Sequence, residues 1–123
     1  MDFQQNTQPI FMQIIDLLCD KVLRGELHTD DQIPSVREMA VQYEVNPNTV
    51  MRAIERLLAS NIIYNRRGKG NYLCEGARTQ IQAMRCKRLY EESLPLLASE
   101  LELLNITPDE VARHLDKLIQ KQS

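Results

Sequence analysis

Asn48, Thr49, Arg52 and Arg56 fall in one short stretch, and the chemistry they offer is recognition rather than bond-making. A guanidinium can donate to two acceptors on a guanine edge, and an asparagine amide can donate to and accept from an adenine edge. A threonine hydroxyl and the N–H groups of a helix start suit a phosphate oxygen. On a helical wheel Val50, Ile54, Leu57 and Leu58 share one side, with Asn48, Arg52, Glu55, Arg56 and Ala59 on the other. The apolar side would seat the helix on a core and the polar side would face a groove. Taken alone, the wheel also fits an ordinary core helix with a solvated face, so its neighbours decide. Downstream, Arg66-Arg67-Gly68-Lys69-Gly70 sets three cations on a loop with two glycines. Phosphates or a minor groove are natural targets for it, a solvated turn being the plainer reading. The glycine spacing and the following Ser or Thr of a nucleotide-binding loop are missing from it. Upstream, Arg37 lies off the apolar stripe of its own segment, where it can reach the same partner or pair with Glu38 or Glu44.

Other chemistries find little support. His28 and His114 are isolated, and Cys19, Cys74 and Cys86 are odd in number and form no Cys-x-x-Cys pair. They read as reduced thiols, with no metal, disulfide or cofactor implied. Asp30-Asp31 reads as a solvated loop, and no cluster of acid, base and nucleophile suggests an enzyme. The net charge of −2 does not favour a polyanion partner. The distribution does: residues 35–72 carry six cations against three acids, whereas residues 1–34 carry two against six. Local field, not total charge, steers docking. No apolar run spans a bilayer, and Met1-Asp2-Phe3-Gln4-Gln5 lacks the core of a secretion signal, so a cytoplasmic protein is expected.

The positioning elements are legible. Ile10, Ile14, Leu18 and Val22, with Phe11, Ile15 and Leu23 beside them, predict a helix from Pro9 to Arg24, stopped by Gly25. Ser35-Val36-Arg37-Glu38 is a capping box opening a second helix with Val36, Met39, Ala40 and Tyr43 inward. After the turn at Glu44-Val45, Asn46 is a favoured N-cap and Pro47 a favoured first residue of the third helix, which runs to about Ser60. Residues 62–65 and 71–74 read as strands around the cationic loop. Helix, helix-turn-helix and hairpin is the order of a winged helix.

From Ala77 the chain is helical again. Tyr90, Leu94, Leu97, Leu101 and Leu104 form a coiled-coil-like seam, and Ala77, Ile81 and Met84 start a seam in another phase. Pro95 predicts a kink or break near 91–95. Thr107-Pro108-Asp109-Glu110 is a second capping box, opening a helix with Val111, His114 or Leu115, Leu118 and Ile119 inward. Two domains are expected, 1–76 and 77–123, mainly α with a small β-hairpin.

Residues 9–74 resemble the DNA-binding domain of the GntR family of bacterial regulators. The resemblance rests on Pro9-Ile10-Phe11-Met12-Gln13-Ile14, on Ile33 through Ala40, on Asn46 through Ala53, and on Arg66-Arg67-Gly68-Lys69-Gly70. The short helical tail is similar to the YtrA-type subfamily, whose tails dimerise; the 47 residues after Gly76 leave no room for the larger effector domains of other branches, or for their pyridoxal phosphate. The resemblance implies DNA contact at Arg37, Asn48, Thr49, Arg52 and the Gly68-Lys69-Gly70 wing. Asp30 and Asn61 stand where the family usually has glycine.

A homodimeric repressor on double-stranded operator DNA is therefore expected. Its DNA contacts would come from Ser35, Arg37, Asn46, Asn48, Thr49, Arg52, Arg56, Arg66, Arg67, Gly68, Lys69 and Gly70. Its dimer seam would come from Ile81, Met84, Tyr90, Leu94, Leu97, Leu101 and Leu104. A small-molecule effector is left unassigned. A protein-interaction winged helix would need an apolar outer face on the third helix, and recognition of structured RNA would need a separate competition test.

Overall fold

The computed structural model describes residues 8–122; the Met1-to-Gln5 segment, and with it the reading for a secretion signal, lies outside them. The elements are α1 (Ile10–Leu23), α2 (Val36–Tyr43), α3 (Pro47–Ala59), β1 (Ile63–Arg66), β2 (Gly70–Leu73), α4 (Ala77–Arg88), a π turn (Leu89–Ser93), α5 (Leu94–Leu104) and α6 (Pro108–Gln122). Among the described residues no helix is long and apolar enough to cross a membrane. The chain divides into two compact units, Met1–Ala83 and Met84–Ser123.

In the first unit α3 packs against both α1 and α2. Pro9 caps α1 with its carbonyl, which accepts from the N–H groups of Met12 and Gln13, and Phe11, Ile14, Ile15, Leu18, Cys19 and Val22 form the buried stripe. The capping box of α2 is complete: Ser35 Oγ accepts from Glu38 N–H at 3.1 Å, and Ser35 N–H donates to Glu38 Oε1 at 3.3 Å. Glu44 turns the chain in the left-handed conformation (φ +55°), and Asn46 then caps α3. Val50, Ala53, Ile54 and Leu57 of α3 are buried beside Met39, Ala40 and Tyr43 of α2.

The hairpin pairs Ile63 with Leu73, Tyr64 with Tyr72, Asn65 with Asn71 and Arg66 with Gly70. The ladder is one residue nearer the tip than the spacing of apolar residues suggests. Ile62 lies ahead of it, although its carbonyl still accepts from Cys74 N–H at 2.9 Å. The loop before α2 lies along the outer edge of β2. Asp30 N–H donates to the Leu73 carbonyl at 2.9 Å, Leu73 N–H to the Asp31 carbonyl at 3.0 Å, and Ile33 N–H to the Asn71 carbonyl at 2.9 Å. Asp30 (φ +67°) and Asn61 (φ +59°) both adopt the left-handed backbone a glycine would take, so neither departure from the family pattern reroutes the chain.

The start of α4 belongs to this core. Ala77 and Ile81 are each 1% exposed, Arg78 donates to the Val22 carbonyl at 2.7 Å, and Gln80 Nε2 donates to the Ser60 carbonyl at 2.7 Å. Ile81 therefore leaves the dimer seam in which its spacing had set it. A side chain this enclosed by its own chain has no surface left for a second copy.

In the second unit the helix does not break at Pro95; it widens. Proline has no N–H to give the Glu91 carbonyl, and the π turn just ahead absorbs the irregularity. Asn105 ends α5 at φ +56°, and Thr107 Oγ1 accepts from Glu110 N–H at 3.3 Å to open α6. No described residue of this unit is buried. On α6 only Val111 is half-covered; His114, Leu115, Leu118 and Ile119, expected inward, are exposed.

Candidate nucleic-acid interface

The outer side of α3 presents Asn48, Met51, Arg52, Glu55 and Arg56 to solvent, with Thr49 half-buried. The helix is held by its apolar side, so these residues stand on a rigid element. Arg52 and Arg56 lie over the ring of Phe11 from α1, their Cζ atoms 4.3 and 5.5 Å from its centroid. Both fall within the range in which a ring quadrupole attracts a cation. Among the described residues neither arginine has an ion-pair partner. With no acid among the described residues engaging them, their N–H groups remain available to a groove.

The start of α3 differs from what its sequence suggests. Asn46 Oδ1 accepts from Asn48 N–H at 2.8 Å, and Thr49 N–H donates to the Asn46 carbonyl at 2.9 Å. Two N–H groups that could have cradled a phosphate are thus used within the helix start. Asn46 and Ser35 act first as caps. On α2, Arg37 is exposed and pairs with neither Glu38 nor Glu44.

The hairpin separates its three cations. Arg66 is folded back on the sheet: its Cζ lies 4.7 Å from the Tyr72 ring and 5.7 Å from that of Tyr64, and its Nη2 donates to Tyr64 Oη at 3.3 Å. The Tyr64 hydroxyl in turn donates to Asp30 Oδ1 at 2.6 Å. That bond, more than any desolvation, holds the phenol above its ordinary pKa. The two tyrosines face each other across the strands, centroids 5.8 Å apart. Arg66, read from sequence as a tip cation, therefore lies against the tyrosine pair, and Tyr64 ties the wing to the loop before α2. Arg67 and Lys69 are exposed at the tip and have no ion-pair partner among the described residues.

Gln32 fixes the tip from the other side, donating through Nε2 to the Lys69 carbonyl at 2.8 Å. Gly70 holds a φ of +118°, which side chains rarely adopt, and a Cβ there would sit 2.8 Å from Gln32 Nε2 and displace the amide that holds the Lys69 carbonyl. Gly68 meets open space and supplies only its φ of +76°.

Sequence reasoning found the exposed residues and missed what holds them. Phe11 was only one of several apolar residues in α1, and Gln32 had no motif. The aromatic pair Tyr64 and Tyr72, at matching places on either side of the cationic loop, was a signal that cross-strand pairing could have supplied. Among the described residues no group of three or more His, Cys, Asp or Glu could hold a metal ion.

Comparison with known proteins agrees with this geometry. A family model for bacterial regulatory proteins of the gntR family matches residues 12–73. The HTH-type transcriptional regulator YhcF of Bacillus subtilis is 37% identical over 112 residues, covering 90% of this chain and 91% of YhcF. The HTH-type transcriptional repressor YtrA of the same organism is 33% identical over 114 residues, covering 93% of this chain and 82% of YtrA. Among solved structures, a GntR family transcriptional regulator from Listeria monocytogenes superposes with a TM-score of 0.73 at 32% identity, covering 91% of this chain and 96% of that one.

Proposed function

The chain belongs to the GntR family of bacterial regulatory proteins, as a winged helix-turn-helix transcription regulator of YtrA type and not an enzyme. From that premise we propose that it is a cytoplasmic repressor that binds a palindromic operator as a homodimer. The first unit would hold the DNA and residues 84–122 would join the two copies. The observation that carries this reading is a set of exposed cations with no acid partner among the described residues, Arg37, Arg52, Arg56, Arg67 and Lys69, presented by α2, α3 and the hairpin. Unpaired cations on rigid elements suit a phosphate backbone, and the amide of Asn48 and the guanidinium of Arg52 suit base edges. YtrA, similar over most of its length, is named a repressor, which favours repression over activation.

The dimer is supported by the second unit's uncovered apolar residues. Met84, Tyr90, Leu94, Leu97 and Leu104 are exposed and Leu101 is half-buried. A twofold dimer would set its recognition helices in successive major grooves, about 34–36 Å apart. Selection from random duplexes should return an inverted repeat with that spacing. Arg52→Ala should weaken binding to the selected duplex about 10- to 100-fold and to a scrambled one much less. Lys69→Ala should weaken both and lower the salt slope by about one. Equal losses on both duplexes for Arg52→Ala would reject base reading, and a preference for structured RNA in competition would reject the operator.

A further inference from the structure

We infer that Phe11 is a positioning residue for sequence reading: its ring holds the Arg52 guanidinium in the plane from which the arginine addresses a base edge. The inference rests on α3 being the recognition helix. Phe11 comes from α1, an element with no exposed cation directed at DNA in the reading above. Yet its ring is the surface on which both arginines of the α3 outer side lie, and it is only 7% exposed because it is covered.

An arginine side chain loses much rotamer freedom when it is fixed on a base. A ring that fixes it beforehand removes part of that loss from the binding step, which is the general gain from preorganisation. Geometry favours Arg52 as the residue served, since its Cζ lies 4.3 Å from the centroid against 5.5 Å for Arg56. The electron-rich face also offsets the repulsion between two like charges one helical turn apart. No carboxylate does so, because neither arginine has an ion-pair partner among the described residues. A carboxylate would compete with guanine for the N–H edge, whereas a ring engages only the guanidinium face.

The test uses the full-length dimer with its selected operator and a scrambled duplex of equal length. Phe11→Leu should lower the preference for operator over scrambled DNA by about threefold to tenfold. Affinity for the scrambled duplex and the salt slope should not move. Phe11→Tyr should restore the preference, and Phe11→Leu should add nothing once Arg52→Ala is present. An unchanged or increased preference in a folded Phe11→Leu protein would overturn the inference, as would an equal loss on both duplexes or a loss that persists without Arg52. Should Phe11→Leu fail to fold, progressively fluorinated phenylalanines at position 11 give the same reading with little change in shape. The preference should fall as the ring loses its negative face, and a flat series would overturn the inference. A wild-type protein that prefers no duplex would instead sink the recognition-helix reading before position 11 is altered.

Discussion

Leu57 and Leu97 are both helical leucines, yet Leu57 is 2% exposed and Leu97 is 37% exposed. The difference runs through the two compact units. In the first, three helices, a hairpin and the start of a fourth helix supply faces that close over one another, and nineteen apolar side chains are buried among the described residues. In the second, α5 and α6 carry apolar residues that nothing within the described chain covers. Leu96, Leu103, Leu118 and Ile119 are all exposed. Each leucine left in water forgoes about 1.5–3 kcal/mol that burial would supply. The first unit has the ingredients of an independent core, and the second has those of half a core.

That contrast is broken most directly at the tail. Leu97→Asp with Leu101→Asp should convert the protein to monomer in sedimentation and lower operator affinity on the order of 100-fold or more, since half-sites would no longer bind as a linked pair. The melting of the first unit should stay put. A surviving dimer would show that these leucines serve some other surface.

The next test sets one substitution in both units. Leu57→Ala should destabilise the first unit by about 2–5 kcal/mol, through lost burial and the cavity left behind. Leu103→Ala, at a position 79% exposed, should cost less than about 0.5 kcal/mol. Denaturant titrations would read both, and similar costs would erase the distinction between the units. The smallest effect compares two caps of the same kind. Ser35→Ala should cost about 1 kcal/mol in the first unit's transition. Thr107→Ala should lower helix content by circular dichroism without shifting that transition.

What was legible in the sequence was local. The Ser35–Glu38 box, the Asn46-Pro47 start and the turn at Gly68 are set by partners within a few residues, so spacing reveals them. Non-local packing was hidden. Ile81 and Met84 share a helical spacing, but only the fold places Ile81 against the core and leaves Met84 47% exposed. Phe11 meets Arg52 across 41 positions of chain, and Gln32 reaches the Lys69 carbonyl across 37. No periodicity encodes either meeting. Arg66 was read as a tip cation because the sequence shows charge and not the side chain's direction; Tyr64 and Tyr72 supply that direction once the strands are in register. Pro95 marked where the helix would be irregular, but a kink, a break and a widened turn all satisfy a missing N–H.

Among the described residues four bends, at Asp30, Glu44, Asn61 and Asn105, hold a left-handed backbone without glycine. Their side chains restrict the unfolded ensemble more than glycine does, and asparagine and aspartate bear that backbone with modest strain. Strain relieved and entropy lost on exchange with glycine nearly cancel. With Asp30 set apart by its bond to the Tyr64 hydroxyl, mutational drift at Asn61 and Asn105 among glycine, asparagine and aspartate is therefore close to neutral, while β-branched residues are shut out. Descendants of one ancestral gene can diverge there freely and still trace the same path through space.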